Sequence, residues 1–159
     1  MGVADLSTAV DSEVHGDLGL PLDWAWSADG RWLAVASLGS GDAFPGTLSV
    51  AEVDGPVRGE PIVAERVALP SGLDASDPVW LSDGTLVFEG RRDERTRLYR
   101  LRPGGEAEPL LDEDTVPGEL VWPSASPDGR WLAFVARAAG ELSGDVWLRD
   151  TDRGAVRLL

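Results

Sequence analysis

The chain has 159 residues, 43% of them hydrophobic, with 28 acidic and 14 basic residues that give a net charge of −14. The apolar content and the seven Trp exclude an intrinsically disordered chain, and the length permits one domain with a substantial core. A surface this acidic repels phosphate backbones, so the composition argues against nucleic acid as a partner.

The N-terminal region and the hydropathy pattern predict where the protein resides. Residues 1–14 lack the basic start and the apolar stretch of a signal peptide, and no apolar run is long enough to span a membrane. The chain has no Cys, which fits a reducing compartment. We therefore predict a cytoplasmic protein that has no membrane contact.

Three segments of the chain share one pattern. In chain order they are residues 26–35, 80–88 and 125–134. Each contains an Asp-Gly pair that follows a short apolar segment and precedes another, which is a strong signal for a β-hairpin turn. The pairs stand 54 and then 45 residues apart, close to the roughly 40–50 residues of a four-stranded propeller blade. The predicted turn-forming residues are Asp29, Gly30, Asp83, Gly84, Asp128 and Gly129.

The remainder of each repeat also follows one order. After the turn comes a strand that is apolar on both faces, as in residues 131–136, which is typical of a strand buried between two packed sheets. A polar tip, a third strand, a second turn and a short outer strand complete the unit. The predicted tips are 38–46, 90–96 and 138–144; the third strands are 47–53, 97–102 and 145–150; and the outer strands are 61–67, 108–111 and 155–159.

This order predicts an all-β fold, a partial β-propeller of about three four-stranded antiparallel blades. Residues 1–22 are assigned to a lead-in or the end of a preceding blade, 23–69 to blade one, 70–111 to blade two and 112–159 to blade three. A β-sandwich is the structural alternative, but the regular spacing and the repeated turn chemistry favour the propeller. We expect the four Trp of the hairpins to pack between blades: Trp26, Trp32, Trp80 and Trp131.

The repeats resemble a known class of propeller. The motif in 126–134, followed in each unit by segments such as 98–101 and 104–110, resembles the TolB-like class of WD-type repeats. Residues 6–18 are similar to the linker before a late blade in prolyl oligopeptidase family serine peptidases, and 97–106 and 116–135 are similar to the last two blades there, most closely in the acylaminoacyl-peptidase-like branch. The long first repeat, and Pro123 and Ala125 in the third, depart from the family pattern.

The family resemblance implies a function that depends on a domain outside the sequence. In that family the propeller covers an α/β-hydrolase domain and admits only short or unfolded peptides. The resemblance implies a non-catalytic segment that screens peptide access, with peptide substrates and the adjoining hydrolase domain as partners. The alternatives are a TolB-like protein-interaction module and a half-propeller whose role is assembly, because one propeller architecture supports many functions.

The chain carries no recognisable catalytic centre. It has no Gly-x-Ser-x-Gly nucleophile elbow, since Gly39-Ser40-Gly41 has the wrong spacing, and its single His is His15 in the lead-in. The sequence therefore predicts no enzyme activity for this chain, no catalytic residue and no cofactor, while the parent protein is expected to be a serine hydrolase.

Charged clusters are the remaining candidates for sites. The acidic stretches 74–77 and 112–115 lack EF-hand spacing, so no metal site is predicted. Arg91, Arg92 and Arg95 are concentrated at a predicted hairpin tip, where guanidinium groups could bind a peptide carboxylate or an adjoining domain by bidentate bonds. The alternative is a solvated turn whose charges pair with one another.

A three-blade segment leaves two blade faces uncovered. About 400 Å² of apolar surface on such a face is worth on the order of 10 kcal/mol if buried, comparable to the net stability of a whole domain. We therefore expect the isolated chain to form a homodimer or a larger assembly through those faces.

Overall fold

The computed structural model describes residues 20–38, 46–53, 64–102, 105–112 and 114–159. The described residues form twelve β-strands and no helix. The predicted lead-in with His15, most of the tip 38–46 and the start of the outer strand 61–67 lie outside them. The strands are β1 (Leu20–Trp26), β2 (Trp32–Leu38), β3 (Gly46–Glu52), β4 (Ala64–Arg66), β5 (Asp74–Trp80), β6 (Leu86–Arg92), β7 (Arg95–Leu101), β8 (Glu108–Pro109), β9 (Glu119–Ala125), β10 (Trp131–Arg137), β11 (Asp145–Asp150) and β12 (Val156–Leu158).

The strands are arranged as three four-stranded antiparallel sheets, each built from four consecutive strands. Blade one is β1–β4, blade two is β5–β8 and blade three is β9–β12. The first strand of blade two, β5, contacts β1 on one side and β9 on the other, so the first strands of the three blades lie together. This confirms the predicted all-β fold and the partial β-propeller.

The first and last strands of the blades differ in length from the sequence expectation. β1 begins at Leu20, inside the segment 1–22 that the sequence assigned to the lead-in, and Leu20 pairs with Leu38. Pro21 lies in an edge strand, where the missing amide hydrogen is tolerated. The outer strand β8 ends at Pro109, two residues earlier than residue 111, because only Glu108 and Pro109 pair with β7.

The first strand of each blade contains a pairing irregularity. It lies between Pro21 and Asp23 in β1, and between Ser76 and Val79 in β5. In β9 the corresponding extra residues are Trp122 and Pro123. Asp77 and Trp122 have positive φ angles of 48° and 56°, and such bulges turn backbone N–H groups away from the ladder of their own sheet.

Apolar side chains fill the two seams between the blades. The first seam, between blades one and two, contains the fully buried Ala34, Leu48 and Phe88. The second seam, between blades two and three, contains Val87 and Phe134. Truncation of either Phe to Ala is expected to cost about 3–5 kcal/mol, so the seams account for much of the stability.

The four hairpin Trp do not share one environment. Trp80 and Trp131 are partly buried, and Trp80 packs against the first seam. Trp26 and Trp32 are exposed, which differs from the expectation that all four pack between blades. The physical reason for Trp26 is its place on the side of blade one that faces away from blade two, where no described blade covers it.

Candidate functional site

The three Asp-Gly pairs lie in the hairpin turns between the first two strands of each blade, which we call the turn end. In blade one, Asp29 Oδ1 accepts hydrogen bonds from Ser27 Oγ at 2.6 Å and from the Arg31 amide at 3.1 Å. Blade three repeats this arrangement, with Ser126 Oγ at 2.5 Å from Asp128 Oδ1. These bonds, the serine hydroxyl's first, lower the pKa of both carboxyl groups because they favour the charged form.

The turn of blade two is built differently. Leu81 takes the place of the serine and is buried, and the hairpin closes one residue earlier, because Trp80 pairs with Leu86 whereas Trp26 pairs with Leu33. Asp83 Oδ1 accepts only the amide of Thr85, at 2.9 Å, among the described residues. Gly84 keeps the positive φ, at 80°. The local Asp-Gly turn is therefore retained although its side-chain hydrogen-bond network is smaller.

Neighbouring turns touch at the turn end. A Cβ added to Gly129 would lie 2.2 Å from the Cβ of Ser82 in the preceding blade, and Gly129 has a φ of +68°. Residues of all three turns, including Ala28, Ser82 and Pro127, line a recess of about 180 Å³ together with the strand-end residues Trp26 and Trp80. Gly129 is therefore required by close packing between blades as well as by its own backbone conformation.

The three candidate arginines lie on the β6–β7 hairpin, at the opposite end of the blade, which we call the tip end. Arg92 pairs with Arg95 across the hairpin, whereas Arg91 pairs with Thr96. Because side chains alternate along a strand, Arg92 and Arg95 lie on one face of the sheet and Arg91 on the other. All three side chains are exposed, and the guanidinium of Arg92 donates to the carbonyl of Ser71 at 2.7 Å. The structure thus brings together two of the three arginines and places the third on the side of blade three.

The turn at this tip is conformationally strained. Asp93 and Glu94 form a two-residue loop, with φ angles of +49° and +61°. A loop with two positive φ angles matches the twist of a β-hairpin, but it favours Asn and Gly over Glu. The loop therefore fixes the direction of the adjoining arginines at an energetic cost.

A buried carboxylate lies in the second seam, at a position that the sequence reasoning did not identify. Glu89 is 8% exposed, and its Oε1 accepts the backbone N–H of Trp122, which the bulge in β9 directs toward blade two. Burial raises the pKa of Glu89 to about 7, the Trp122 hydrogen bond and Arg137 act in the opposite direction, and the negative charges of Asp77 and Glu119 raise it further.

Aromatic and charged groups surround this carboxylate. Arg137 Nε lies 3.3 Å from Glu119 Oε2, and the Arg137 guanidinium carbon is 5.2 Å from the centre of the half-exposed Trp122 ring. Comparison of the strand pairings shows that Glu89 occupies the position of Ala36 in blade one and Val135 in blade three. The sequence does place a charged residue where the other two repeats have an apolar one. Recognising this difference requires knowledge of the strand register, because the repeats must first be aligned.

A second buried charge lies nearer the turn end of the same seam. Arg149 is 9% exposed, and its Nε has no hydrogen-bond partner among the described residues. Burial lowers the pKa of Arg149, the like charge of Arg100 lowers it further, and Asp150 and Asp83 oppose the change. The second seam therefore contains the buried carboxyl group of Glu89 and the buried guanidinium group of Arg149. The sequence analysis assigned both residues to strands without predicting a buried charge.

The acidic stretches do not form a cation site in the described part of the chain. No group of three or more His, Asp or Glu side chains there is placed to hold a metal ion. In the stretch 74–77, Asp74 is exposed whereas Asp77 lies in the β5 bulge. Among the described residues, no helix is both long enough and apolar enough to cross a membrane.

The comparisons with known proteins agree with the fold. No protein-family model matches the chain, and no curated protein matches it. Among solved structures it is similar to the S511A mutant of puromycin hydrolase complexed with PGG, with a TM-score of 0.65 and 17% identity over 92% of this chain and 23% of that one. It is also similar to a structure from an analysis of two prolyl endopeptidases, with a TM-score of 0.60 and 21% identity over 87% of this chain and 21% of that one. A third similarity is to the hydrazine synthase of Kuenenia stuttgartiensis, with a TM-score of 0.53 and 18% identity over 84% of this chain and 40% of that one.

These similarities establish a class of fold. The chain is a partial β-propeller, and its resemblance to the propellers of the prolyl oligopeptidase family is confirmed at the level of the fold. It spans less than a quarter of the length of the puromycin hydrolase and prolyl endopeptidase chains.

Proposed function

We propose that the chain is a non-catalytic propeller segment of a prolyl-oligopeptidase-like serine hydrolase, in which it screens peptides on their way to a separate α/β-hydrolase domain. The observation that carries the proposal is the similarity over 92% and 87% of this chain to two hydrolases that are several times longer. Peptide substrates and the adjoining hydrolase domain would be the partners, and the cytoplasm the location.

The charged tip end offers a physical means of screening. Arg91 and Arg95 are exposed on a short hairpin, and Arg92 anchors the same hairpin to the Ser71 carbonyl. Because the hairpin is anchored, binding of a carboxylate there requires little further ordering of the backbone. The exposed tip carries Arg91, Arg92 and Arg95 against Asp93 and Glu94, so it has a small positive excess in a chain whose net charge is −14.

The first test identifies the domain that accompanies this segment. The gene is sequenced on both sides of the region that encodes these residues, and the protein is assayed with small esters and peptides. A Gly-x-Ser-x-Gly strand-turn-helix together with esterase activity is the expected result. A gene whose adjoining domains have no hydrolase motif, and a protein with no hydrolytic activity, would contradict the proposal.

The second test addresses the screening role in that longer protein. The double variant Arg91→Gln with Arg95→Gln is expected to lower kcat/KM for peptides with a carboxylate near the cleavage site by about 2- to 10-fold, the range of one or two exposed charge pairs. Hydrolysis of a small neutral ester should not change. Arg31→Gln is the control, because Arg31 is exposed at the turn end and pairs with Glu52 at 2.7 Å. Equal losses for the peptide and the ester would argue against screening.

A protein-interaction module is the second candidate. The similarity to hydrazine synthase covers 84% of this chain with a TM-score of 0.53, so the fold also occurs outside peptidases. A longer protein without hydrolase activity that binds a partner through the tip end would favour this alternative.

A further inference from the structure

The two seams can be compared position by position, because the blades share one strand register. The last residues of β5 and β9 pair with Leu86 and Leu132 respectively, so these two leucines are equivalent. In the third strand of each blade, Leu101 pairs with Leu86 and Arg149 pairs with Leu132. Arg149 therefore occupies in blade three the position that Leu101 occupies in blade two.

The opposite side of each seam differs in the same way. Val50 in β3 and Arg100 in β7 lie at equivalent register positions, and each pairs with a fully buried residue of the second strand. In the first seam, Val50 and Leu101 both pack against the apolar core. The second seam thus has Arg149 and Arg100 at the positions where the first seam has Leu101 and Val50.

Both arginine side chains are directed into the second seam, whose two sides are formed by blades two and three of this chain. Residues that pair directly across antiparallel strands lie on one face of the sheet, and the partners of Arg149 and Arg100 are Leu132 and Val87. Leu132 and Val87 belong to the core of this seam. Burial, and then the like charge of Arg100, lower the pKa of Arg149, as expected for a guanidinium that faces another cation.

The two guanidinium groups differ in the anions available to them. Arg100 Nε donates to Glu108 Oε1 at 2.8 Å, and the Arg100 side chain is 28% exposed. Arg149 is only 9% exposed, and none of the ion pairs in the described part of the chain includes it. Its Nε also has no hydrogen-bond partner there. A buried cation without a counter-ion is destabilising, so this position favours the binding of an anion.

The two acidic residues whose charges act on Arg149 are engaged elsewhere. Asp150 accepts two backbone N–H groups of its own turn and pairs with Arg153 at 3.2 Å. Asp83 accepts the amide of Thr85 and is exposed in the turn of blade two. Both oppose the lowering of the Arg149 pKa, but neither forms an ion pair with Arg149.

We propose that Arg149 and Arg100 form a binding site for a carboxylate near the turn end of the second seam. A carboxylate can accept hydrogen bonds from Nε and from a terminal nitrogen of one guanidinium at the same time. The turn residue beside Arg149 is Gly154, and a Cβ there would stand 3.6 Å from Arg149 Nη2, so the glycine leaves this nitrogen uncovered on that side.

Charge balance favours a carboxylate over a dianion such as phosphate. Glu108 already compensates Arg100, which leaves the single charge of Arg149 to be neutralised. The partly exposed Arg100 gives the pair access to solvent. The site lies toward the opposite end of blade two from the three arginines of the tip, and it does not depend on their proposed role.

The experiment follows the arginine Nε–H signals of the 159-residue chain by ¹H–¹⁵N NMR while sodium acetate replaces sodium chloride at constant ionic strength and neutral pH. Acetate is the probe because it presents the carboxylate alone. The Arg149 signal is assigned by its absence from Arg149→Leu. We expect this signal to move downfield and to saturate with a dissociation constant of about 10–100 mM, the range of one hydrogen bond to a charged group.

Arg149→Leu also tests the comparison of the seams, because it introduces the residue type of the first seam. In chloride it should melt at a higher temperature than the wild type, since it removes a buried cation. At about 0.1 M acetate the wild-type midpoint is expected to rise by about 1–5 °C and that of the variant to stay unchanged. If Arg149→Leu does not fold by near-ultraviolet circular dichroism, Arg149→Gln replaces it.

Three further variants define the charges of the site. Arg100→Gln is expected to weaken acetate binding about 2- to 5-fold, the range of one partly exposed charge pair. Asp83→Asn removes a competing negative charge and should strengthen binding by a similar factor. Arg31→Gln is the matched control, because Arg31 pairs with Glu52 at 2.7 Å as Arg100 pairs with Glu108, but in blade one, and it should leave acetate binding unchanged.

The same titration in a longer protein that contains this segment distinguishes two sources of the carboxylate. A free ligand leaves the Arg149 signal responsive to acetate. An acidic side chain of that protein leaves the signal already downfield and unresponsive. Either result supports the carboxylate site.

Several outcomes in the 159-residue chain would overturn the proposal. They are an Arg149 signal that does not respond to acetate, an acetate-dependent rise in midpoint that persists in Arg149→Leu, and a loss of binding in Arg31→Gln equal to that in Arg100→Gln. Weaker binding in Asp83→Asn would identify Asp83 as the counter-ion of Arg149 instead. Inorganic phosphate that binds more tightly than acetate would contradict the choice of a carboxylate.

Discussion

Replacing Glu89 by Gln tests whether the second seam carries a destabilising charge. The substitution keeps an oxygen that can accept the Trp122 N–H but removes the negative charge from a residue that is 8% exposed. We expect Glu89→Gln to increase the free energy of unfolding at pH 8 and to leave it nearly unchanged at pH 4.5.

The magnitude follows from the pKa of Glu89, which folding raises from 4.5 to about 7. A group with a raised pKa binds its proton more tightly in the folded protein, so its stabilising contribution is complete below pH 4.5 and is lost as the pH rises through 7. The full difference corresponds to about 3 kcal/mol, and local relaxation and solvent screening reduce it, so we expect about 1–3 kcal/mol at pH 8.

The assay is urea denaturation followed by Trp fluorescence at several pH values between 4.5 and 8. Subtracting the wild-type curve from that of the variant cancels the other carboxyl groups, including Asp29 and Asp128, whose lowered pKa values stabilise the fold above pH 4. Glu52→Gln is the control, because Glu52 is exposed in blade one and pairs with Arg31 at 2.7 Å, away from the second seam. A Glu89→Gln variant that is no more stable than wild type at pH 8, or a difference that does not depend on pH, would refute the reasoning.

Three further predictions concern the turns and the first seam. Gly129→Ala is expected to lower the free energy of unfolding by about 2–4 kcal/mol, because a φ of +68° and the side chain of Ser82 both oppose a Cβ. Gly72→Ala, with a φ of +72° and open space around it, should cost only about 1 kcal/mol, and similar thermal shifts for the two variants would contradict the packing argument. Glu94→Gly is expected to stabilise by about 0.5 kcal/mol by relieving the φ of +61°, and a lower urea midpoint would show that the loop is not strained. Trp80→Phe removes the hydrogen bond across the first seam together with part of the ring and should cost about 1–2 kcal/mol in chemical denaturation, and an unchanged urea midpoint would contradict the prediction.

The sequence predicted the three hairpins and the order of strands because both depend on neighbours in the chain. The Asp-Gly pairs fix the turns through a positive φ at Gly and through bonds such as that from Ser126 Oγ to Asp128. The apolar run of β10 predicted a strand buried on both faces, whereas among the described residues only its alternate residues, which face blade two, are fully buried. The same local information predicted the all-β fold.

The candidate site was less predictable, because charged residues that lie together in the sequence separate in a strand. Arg91 and Arg92 are adjacent in the chain, yet strand alternation places them on opposite faces, and only Arg92 reaches the Ser71 carbonyl. The pattern of charges located the hairpin tip, whereas the register between β6 and β7 decides which arginines share a face.

Local chemistry in the chain determined which residues turn, which extend and how the strands follow one another. The tertiary structure alone decided which of these strands cover one another, and with it the burial of Glu89 and the exposure of Trp26. The physical reason is that a side chain's solvation and pKa depend on the blade beside it, which is contributed by residues far away in the sequence.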